Sequence, residues 1–243
     1  MVTSLPSFAV VIPMFNEETG AQRCIEAVCA QLAKLPNRCK LIVVEDGGSD
    51  KTRQILENIG PSYQNLEIIY HKENKGYGRA LMTGAASAAA GGFDYVLFMD
   101  SDLTNDPADI PKFVAEMAHQ VDVIKATRYS DGGGVQGVPW YRVLISRIGN
   151  SVASALFHLP LSDCTNGFRA VKLNLLQQIS LKENGFSLIM EELYRLKPLA
   201  KSYGRVPVTL TSRAGNLRAT SFRYRLSVFW DYLKYPLRSC LGI

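Results

Sequence analysis

The chain has 243 residues, 47% of them hydrophobic and 20% charged, with a formal net charge of +5. That size suits one α/β domain, or one domain with an appended piece, and the balance excludes a disordered or fibrous chain. No apolar run approaches the roughly 20 residues that span a bilayer, and the first six residues lack the basic and apolar regions of a signal peptide, so a cytosolic protein is expected.

Phe8–Pro13 is a continuous apolar strand, and Asn16-Glu17-Glu18 suits the start of a helix running to about Leu35, ended by Pro36-Asn37. Lys40–Val44 is a second strand entering Glu45-Asp46-Gly47-Gly48-Ser49-Asp50. A helix over Lys51–Ile59 follows, capped by Ser49 or Asp50 and stopped at Gly60-Pro61. Leu66–His71 is a third strand, then comes a glycine-bearing turn, an Ala-rich helix from Gly78 to Ala90 and a fourth strand over Tyr95–Met99. Strands separated by helices imply βαβ crossovers and a mostly parallel sheet. Asp109–Gln120 reads as a helix, Val121–Thr127 as a strand, Tyr141–Leu159 as an amphipathic stretch and Arg205–Thr211 as a late strand. No repeat, linker or domain boundary is evident before about Ala214.

The most informative segment is Val96-Leu97-Phe98-Met99-Asp100-Ser101-Asp102-Leu103, a buried-strand pattern ending in two carboxylates one residue apart. The carboxyl ends of strands are where open α/β sheets place ligands. Two acids there repel unless a cation lies between them, and a hard divalent ion such as Mg²⁺ or Mn²⁺, itself holding phosphate oxygens, meets that need. Strand-end caps or turn residues are the other reading of D-x-D alone. Gly76-Tyr77-Gly78 is not a dinucleotide fingerprint, because position 81 is Leu, and no phosphate-binding G-x-x-x-x-G-K-[ST] occurs. Glu45 and Asp46 end the second strand, where acids can bond a nucleobase or ribose hydroxyl or can serve as turn residues. The five cysteines lack C-x-x-C spacing and the three histidines are scattered, so neither a disulfide framework nor a zinc site is expected.

Taken in order, Val11-Ile12-Pro13-Met14-Phe15-Asn16-Glu17, Val43-Val44-Glu45-Asp46-Gly47-Gly48-Ser49-Asp50, Asn74-Lys75-Gly76-Tyr77-Gly78-Arg79-Ala80 and Asp100-Ser101-Asp102-Leu103 resemble a family 2 glycosyltransferase of the GT-A fold. Ala126-Thr127-Arg128-Tyr129, Gly132-Gly133-Gly134-Val135, Ser146-Arg147-Ile148-Gly149-Asn150 and Ser162-Asp163-Cys164-Thr165-Asn166-Gly167-Phe168-Arg169 resemble its dolichol-phosphate mannosyltransferase branch. The likeness runs from about residue 8 to about 213. It implies a Rossmann-like, mostly parallel central sheet flanked by helices, a nucleotide-sugar donor of the GDP-mannose or UDP-glucose class, Mg²⁺ or Mn²⁺, and inversion at the anomeric carbon.

Carried over residue by residue, the resemblance implies that Pro13, Phe15, Glu17, Glu45, Asp46, Lys75, Asp100 and Ser101 hold the donor, with Asp100 and Asp102 at the metal and diphosphate. In the polyprenyl-phosphate branch the acceptor is already an anionic nucleophile at neutral pH and needs cationic clamping more than a base. Arg128, Arg147, Arg169 and Arg213 are the candidates, since guanidinium grips phosphate bidentately. Arg169 can equally form an internal ion pair. Glu191 is the candidate base for an enzyme with a hydroxyl acceptor, against a solvated pair of Glu191 and Glu192 near Arg195. Asp163 can order the acceptor loop or cap a helix. Three departures from the family pattern stand out: Glu45 for Asp, Gly48 for Ser, and a compressed basic motif at Arg213-Ala214-Gly215-Asn216-Leu217-Arg218.

Residues 213–243 hold six basic side chains and one acid, so the net charge of the chain resides in this tail. Phe222, Leu226, Phe229, Trp230 and Leu233 give it an apolar helical face, suited to the headgroup layer of a membrane or to docking on the domain. The expected organisation is a glycosyltransferase domain over 1–213 and a basic amphipathic tail over 214–243. The expected activity is sugar transfer, mannose or glucose, to a polyprenyl or dolichyl phosphate by a peripheral protein on the cytosolic membrane face, possible also through a membrane-embedded partner. A saccharide-hydroxyl transferase and a non-catalytic nucleotide-sugar-binding scaffold are the alternatives. Nucleic acid is not an expected partner, because the basic tail is short and strongly apolar.

Overall fold

A computed structural model describes residues 5–211 and 226–242. The first half alternates as expected: β1 (Phe8–Met14), α1 (Ala21–Leu32), β2 (Cys39–Glu45), α2 (Thr52–Ile59), β3 (Leu66–Tyr70), α3 (Tyr77–Ala90) and β4 (Tyr95–Phe98). Then come α4 (Ile110–Ala118), β5 (Val123–Thr127), the two-residue β6 (Gly134–Val135) and α5 (Trp140–Phe157). The chain continues through β7 (Arg169–Lys172), α6 (Leu173–Leu176), α7 (Leu188–Leu196), β8 (Tyr203–Pro207), β9 (Thr209–Leu210) and α8 (Leu226–Leu241). Asn16–Glu18 lie in the loop before α1 rather than in its first turn.

Seven strands form one sheet in the order β3-β2-β1-β4-β7-β5-β8, and β6 pairs with β9 beside it. All neighbours run parallel except β7, which is antiparallel to both β4 and β5. The apolar runs are buried on both faces, as parallel strands covered by helices must be. Alternate residues serve opposite sides: Ala9, Val11, Val96 and Phe98 meet α3 and α5, while Phe8, Val10, Ile12 and Leu97 meet α1 and α4. Full burial of side chains such as Phe8 and Phe98 contributes about 1.5–3 kcal/mol each. β1 has β2 on one side and β4 on the other, so the chain order reverses there and a crevice opens beyond their carboxyl ends.

The described part of the basic tail, α8, packs against α5 and α7. Tyr235 is buried and donates its hydroxyl to Glu183 Oε1 at 2.8 Å, with Lys234 Nζ 2.7 Å from the same oxygen. Lys197 Nζ donates to Ser239 Oγ at 2.9 Å, fixing the far end. Trp230 remains 62% exposed. Among the described residues no helix is long and apolar enough to cross a membrane.

Candidate active site

A cavity of about 800 Å³ opens at the reversal point. Its wall includes Pro13, Phe15, Glu17 and Asp46 from the ends of β1 and β2, Asp100, Ser101 and Asp102 after β4, and Arg128 and Arg142. Apolar side chains, Val135, Val138, Val143, Ile145, Leu210 and Leu233, line the same cavity. Leu233 and Tyr232 bring α8 into its wall.

Each part follows from its element's end. Asp46 is 2% exposed; its Oδ1 meets His71 Nδ1 at 2.6 Å and accepts from Lys75 N at 3.0 Å, and Oδ2 accepts from Gly76 N at 2.9 Å. His71 Nε2 reaches Thr83 Oγ1 at 3.0 Å, so a buried relay holds this carboxylate in one orientation. Glu45, one residue earlier, points under the loop and does not line the cavity. Its Oε1 accepts from Gly48 N at 2.6 Å and its Oε2 lies 3.2 Å from Arg53 Nη2. The expectation that Glu45 touches the donor is corrected accordingly. Two departures from the family pattern prove to be one contact. A Cβ on Gly48 would stand 3.0 Å from Glu45 Oε1 and 2.8 Å from Asn16 Oδ1, so the longer acid occupies the space a serine would need. The Lys75 side chain is exposed and outside the cavity wall; only its backbone amide contributes, through Asp46.

Asp100 follows β4 directly, and its Oδ1 accepts from Tyr77 Oη at 2.9 Å. Burial, and then the charge of Asp100, hold the Tyr77 phenol well above its ordinary pKa, so it stays a donor. Asp102 Oδ1 accepts from Thr104 N at 3.1 Å and Oγ1 at 2.8 Å, and the next residue, Leu103, turns the chain at φ 55°. Among the described residues no cluster of three or more His, Cys, Asp or Glu side chains forms a complete metal shell. Two carboxylates opening on a large cavity instead fit a hard divalent ion that shares its shell with ligand oxygens and water.

The arginines divide into four situations. Arg128 lines the cavity and is gripped by Asp163, with Nε–Oδ2 at 2.6 Å and Nη2–Oδ1 at 2.9 Å. Burial alone would depress both ionisations; the pairing outweighs it, raising the Arg128 pKa and lowering that of Asp163, so both stay charged. Asp163 thus orders the loop after β5. Arg147 is exposed and outside the cavity wall, whereas Arg142, nearer the start of α5, lines it. Arg169 and Glu192 are both fully buried, joined at 2.6 and 2.8 Å, and Arg169 Nη1 donates to Gly167 O at 2.9 Å. Its fork is spent beneath the cavity floor, which corrects its assignment as an acceptor-phosphate ligand. Arg213 lies outside the described residues.

Glu191 is also fully buried: Oε2 accepts from the amides of Lys182 and Glu183, both at 2.8 Å, and Oε1 from Arg195 Nε at 2.8 Å. It does not line the cavity, which is entered from α7 by Met190. Neither Glu191 nor Glu192 is the solvated helix acid the sequence suggested, and the geometry gives Glu191 a clamping role in place of a base.

Two structural features had no forecast. The loop 165–167 forms part of the cavity floor, held by Asn150, whose Oδ1 accepts from Cys164 N at 2.7 Å and Thr165 N at 3.1 Å. Fully buried Lys125 donates to Asn166 O at 2.6 Å from below, and burial, then Arg169, lower its pKa to about 7. A second feature is the outer face of α5: Trp140, Leu144, Ile148 and Val152 recur every fourth residue and are 76, 48, 55 and 44% exposed.

A mostly parallel sheet with a strand-end crevice and paired acids opening on it defines the GT-A class of nucleotide-sugar transferase folds. The family model for glycosyl transferase family 2 matches residues 9–180, and the chain belongs to that family. It is 28% identical over 234 residues to a dolichol-phosphate mannosyltransferase of Pyrococcus furiosus, covering 95% of this chain and 62% of that protein. It is 25% identical over 211 residues to the polyprenol monophosphomannose synthase of Mycolicibacterium smegmatis, covering 84% of this chain and 77% of that protein. The chain therefore spans less than two thirds of the archaeal relative. Among solved structures, glucosyl-3-phosphoglycerate synthase of Mycobacterium tuberculosis, crystallised with Mn²⁺, UDP and glucosyl-3-phosphoglycerate, superposes with a TM-score of 0.67 at 20% identity, covering 98% of this chain and 81% of that chain.

Proposed function

We propose that the chain is a divalent-metal-dependent, inverting glycosyltransferase that moves a hexose from a nucleoside diphosphate to a polyprenyl phosphate at the cytosolic face of a membrane. The observation that carries this reading is that one cavity is lined by strand-end acids, by Arg128 and Arg142, and by apolar side chains that include residues of α5 and α8. An acceptor with an anionic head and an apolar tail matches that combination of surfaces. The names of the archaeal and mycobacterial relatives support the same acceptor.

In this reading Pro13, Phe15, Glu17 and Asp46 hold the nucleoside, and Asp100 and Asp102 hold Mg²⁺ or Mn²⁺. The ion, when bound, neutralises charge developing on the departing diphosphate. Ser101 forms the wall between the two acids. Arg128, held rigid by Asp163, draws the acceptor phosphate toward the sugar carbon and offsets repulsion between the two anions. Arg142 assists from α5, the place the sequence assigned to Arg147. A phosphate monoester has its second pKa near ~6 and attacks without a general base, consistent with the engagement of Glu191 and Glu192 in buried bonds. The apolar α5 stripe and Trp230 suit the headgroup layer, with anionic lipid attracting the basic tail.

The test supplies radiolabelled GDP-mannose or UDP-glucose with Mn²⁺ and polyprenyl phosphate, and counts label in the organic extract. Acid-labile labelled lipid that disappears in Asp102→Asn is the expected result. Nucleotide binding without any lipid product refutes the acceptor assignment.

A further inference from the structure

Asp46 is the strand-end acid of β2 that lines the cavity, and the bonds it can still accept can be counted. A carboxylate only accepts, at about four positions over its two oxygens. Oδ1 takes His71 Nδ1 at 2.6 Å and Lys75 N at 3.0 Å, and Oδ2 takes Gly76 N at 2.9 Å. The two backbone amides can only donate. His71 Nδ1 donates as well, because a carboxylate has no hydrogen to give it, and Nε2 is left to Thr83 Oγ1 at 3.0 Å. Among the described residues these are all the bonds of this carboxylate, so Oδ1 is full and about one position remains, on Oδ2.

The surroundings keep those three bonds in place when a ligand arrives. Gly47 packs on the 73–76 turn so closely that a Cβ there would stand 2.6 Å from Asn74 N. Gly76 turns at φ 93° against Asn184 O, with room for a Cβ only 2.7 Å away. His71 is 6% exposed and held at both ring nitrogens. Printed in the chain's own bonds is the position of this corner: Asp46 N donates to Met14 O at 2.8 Å, between Pro13 and Phe15, and the Lys75 amide brings Asn74 alongside. Pro13, Phe15, Asp46 and Asn74 line the same cavity, and the Asp46 side chain, 3% exposed, is reached from there.

Bases differ in how many hydrogens they bring to such an acid. Guanine presents its ring N1–H and a 2-amino N–H side by side, a pair that takes both oxygens of a carboxylate. Uracil presents a single ring N3–H. With Oδ1 full, guanine's second hydrogen is left unmet in a buried corner, which is costly, whereas uracil uses the one position available. We infer that the donor nucleoside is uridine, read by one hydrogen bond from uracil N3–H to Asp46 Oδ2, with His71 and the 73–76 turn enforcing the choice by occupying Oδ1. The inference rests on the nucleotide-sugar reading above and on Asp46 as its base contact.

Calorimetric titration of the wild-type protein in Mn²⁺ with UDP, GDP and inosine diphosphate tests it. Inosine diphosphate keeps guanine's ring N–H and lacks the 2-amino group. UDP should bind about tenfold or more tighter than GDP, and inosine diphosphate at least as tightly as GDP, because the amino group finds no partner. Asp46→Ala should bring UDP and GDP within about threefold of each other. GDP binding as tightly as UDP, or more so, would overturn the inference. So would inosine diphosphate binding about tenfold weaker than GDP, the mark of a guanine held by both oxygens. An Asp46→Ala protein that melts cooperatively and keeps the full preference for UDP would take the choice away from Asp46 and overturn it too; if that variant does not fold, the wild-type comparisons decide alone. Wild type binding none of the three would overturn the nucleotide-sugar reading itself, and this inference with it.

Discussion

Replacing Glu191 with glutamine separates a clamp from a catalytic base. The carboxylate receives three bonds of 2.8 Å, two from the amides of Lys182 and Glu183 and one from Arg195 Nε. A glutamine oxygen can keep the two amides, but its NH₂ then faces the Arg195 N–H, donor against donor. One charge-assisted bond is lost, about 1.5–3 kcal/mol where water cannot replace it. The Arg195 side chain is 29% exposed, so solvent recovers part, and about 1–2 kcal/mol is the expected cost. In a chain of this size that lowers the melting temperature by roughly 2–8 °C. Urea denaturation should show a lower midpoint at unchanged slope, while the transfer rate on polyprenyl phosphate stays within about threefold. A rate loss of a hundredfold or more with an unchanged midpoint would refute the reasoning, because a general base contributes about 10²–10⁴ to rate and nothing to the clamp.

Lys125→Met should flatten the pH dependence of stability. Burial lowers the folded pKa to about 7 against an ordinary 10.5, so between those values the unfolded chain binds the extra proton and wild-type stability rises with pH. The rise is on the order of 4 kcal/mol at most; urea midpoints that climb equally in both proteins from pH 7 to 10 would contradict it. Gly167→Ala should push on Asp100 Oδ2, 2.9 Å from the new Cβ, and on Tyr77 Oη at 3.2 Å. Mn²⁺-dependent nucleotide affinity should fall about tenfold or more, and titration showing wild-type affinity in a folded variant would refute the packing argument. Exchanging Trp140 and Ile148 on α5 for glutamate should abolish co-sedimentation with anionic vesicles and leave nucleotide affinity intact; vesicle binding that survives would remove α5 from the membrane account.

Strands β1, β2 and β4 were legible because a strand buried on both faces is written as an apolar run, and each run here ends in the acids or turn residues of the site; the partly buried edge strand β3 was legible from its β-branched and aromatic residues despite Glu67. β7 was not. Four residues with Arg169 and Lys172 at their ends carry no apolar signal, and Arg169 becomes a core residue only because Glu192, 23 positions away, neutralises it. The clamp on Glu191 comes from nearer in the chain, Lys182, Glu183 and Arg195, but it exists only once the turn before α7 folds its amides back onto the helix. Within the site, the Asp100–Asp102 pair and Asp46 lie on the cavity as their strand ends suggested. Local phase decided the rest. Glu45 and Asp46 are neighbours whose opposite fates depend on the twist of one turn, and Arg142 and Arg147 lie five apart on α5, so one faces inward and the other outward.

The central claim is that the attacking group is a phosphate on an apolar chain. It is tested most directly by offering the wild-type protein polyprenyl phosphate and the corresponding polyprenol, equal in chain length, with the same labelled nucleotide sugar and Mn²⁺. Transfer to the phosphate with none to the alcohol is the predicted result, since only the phosphate is an anion at neutral pH and Glu191 and Glu192 are engaged in buried bonds away from the cavity. Label entering the polyprenol, or a soluble saccharide in place of either lipid, would contradict the account.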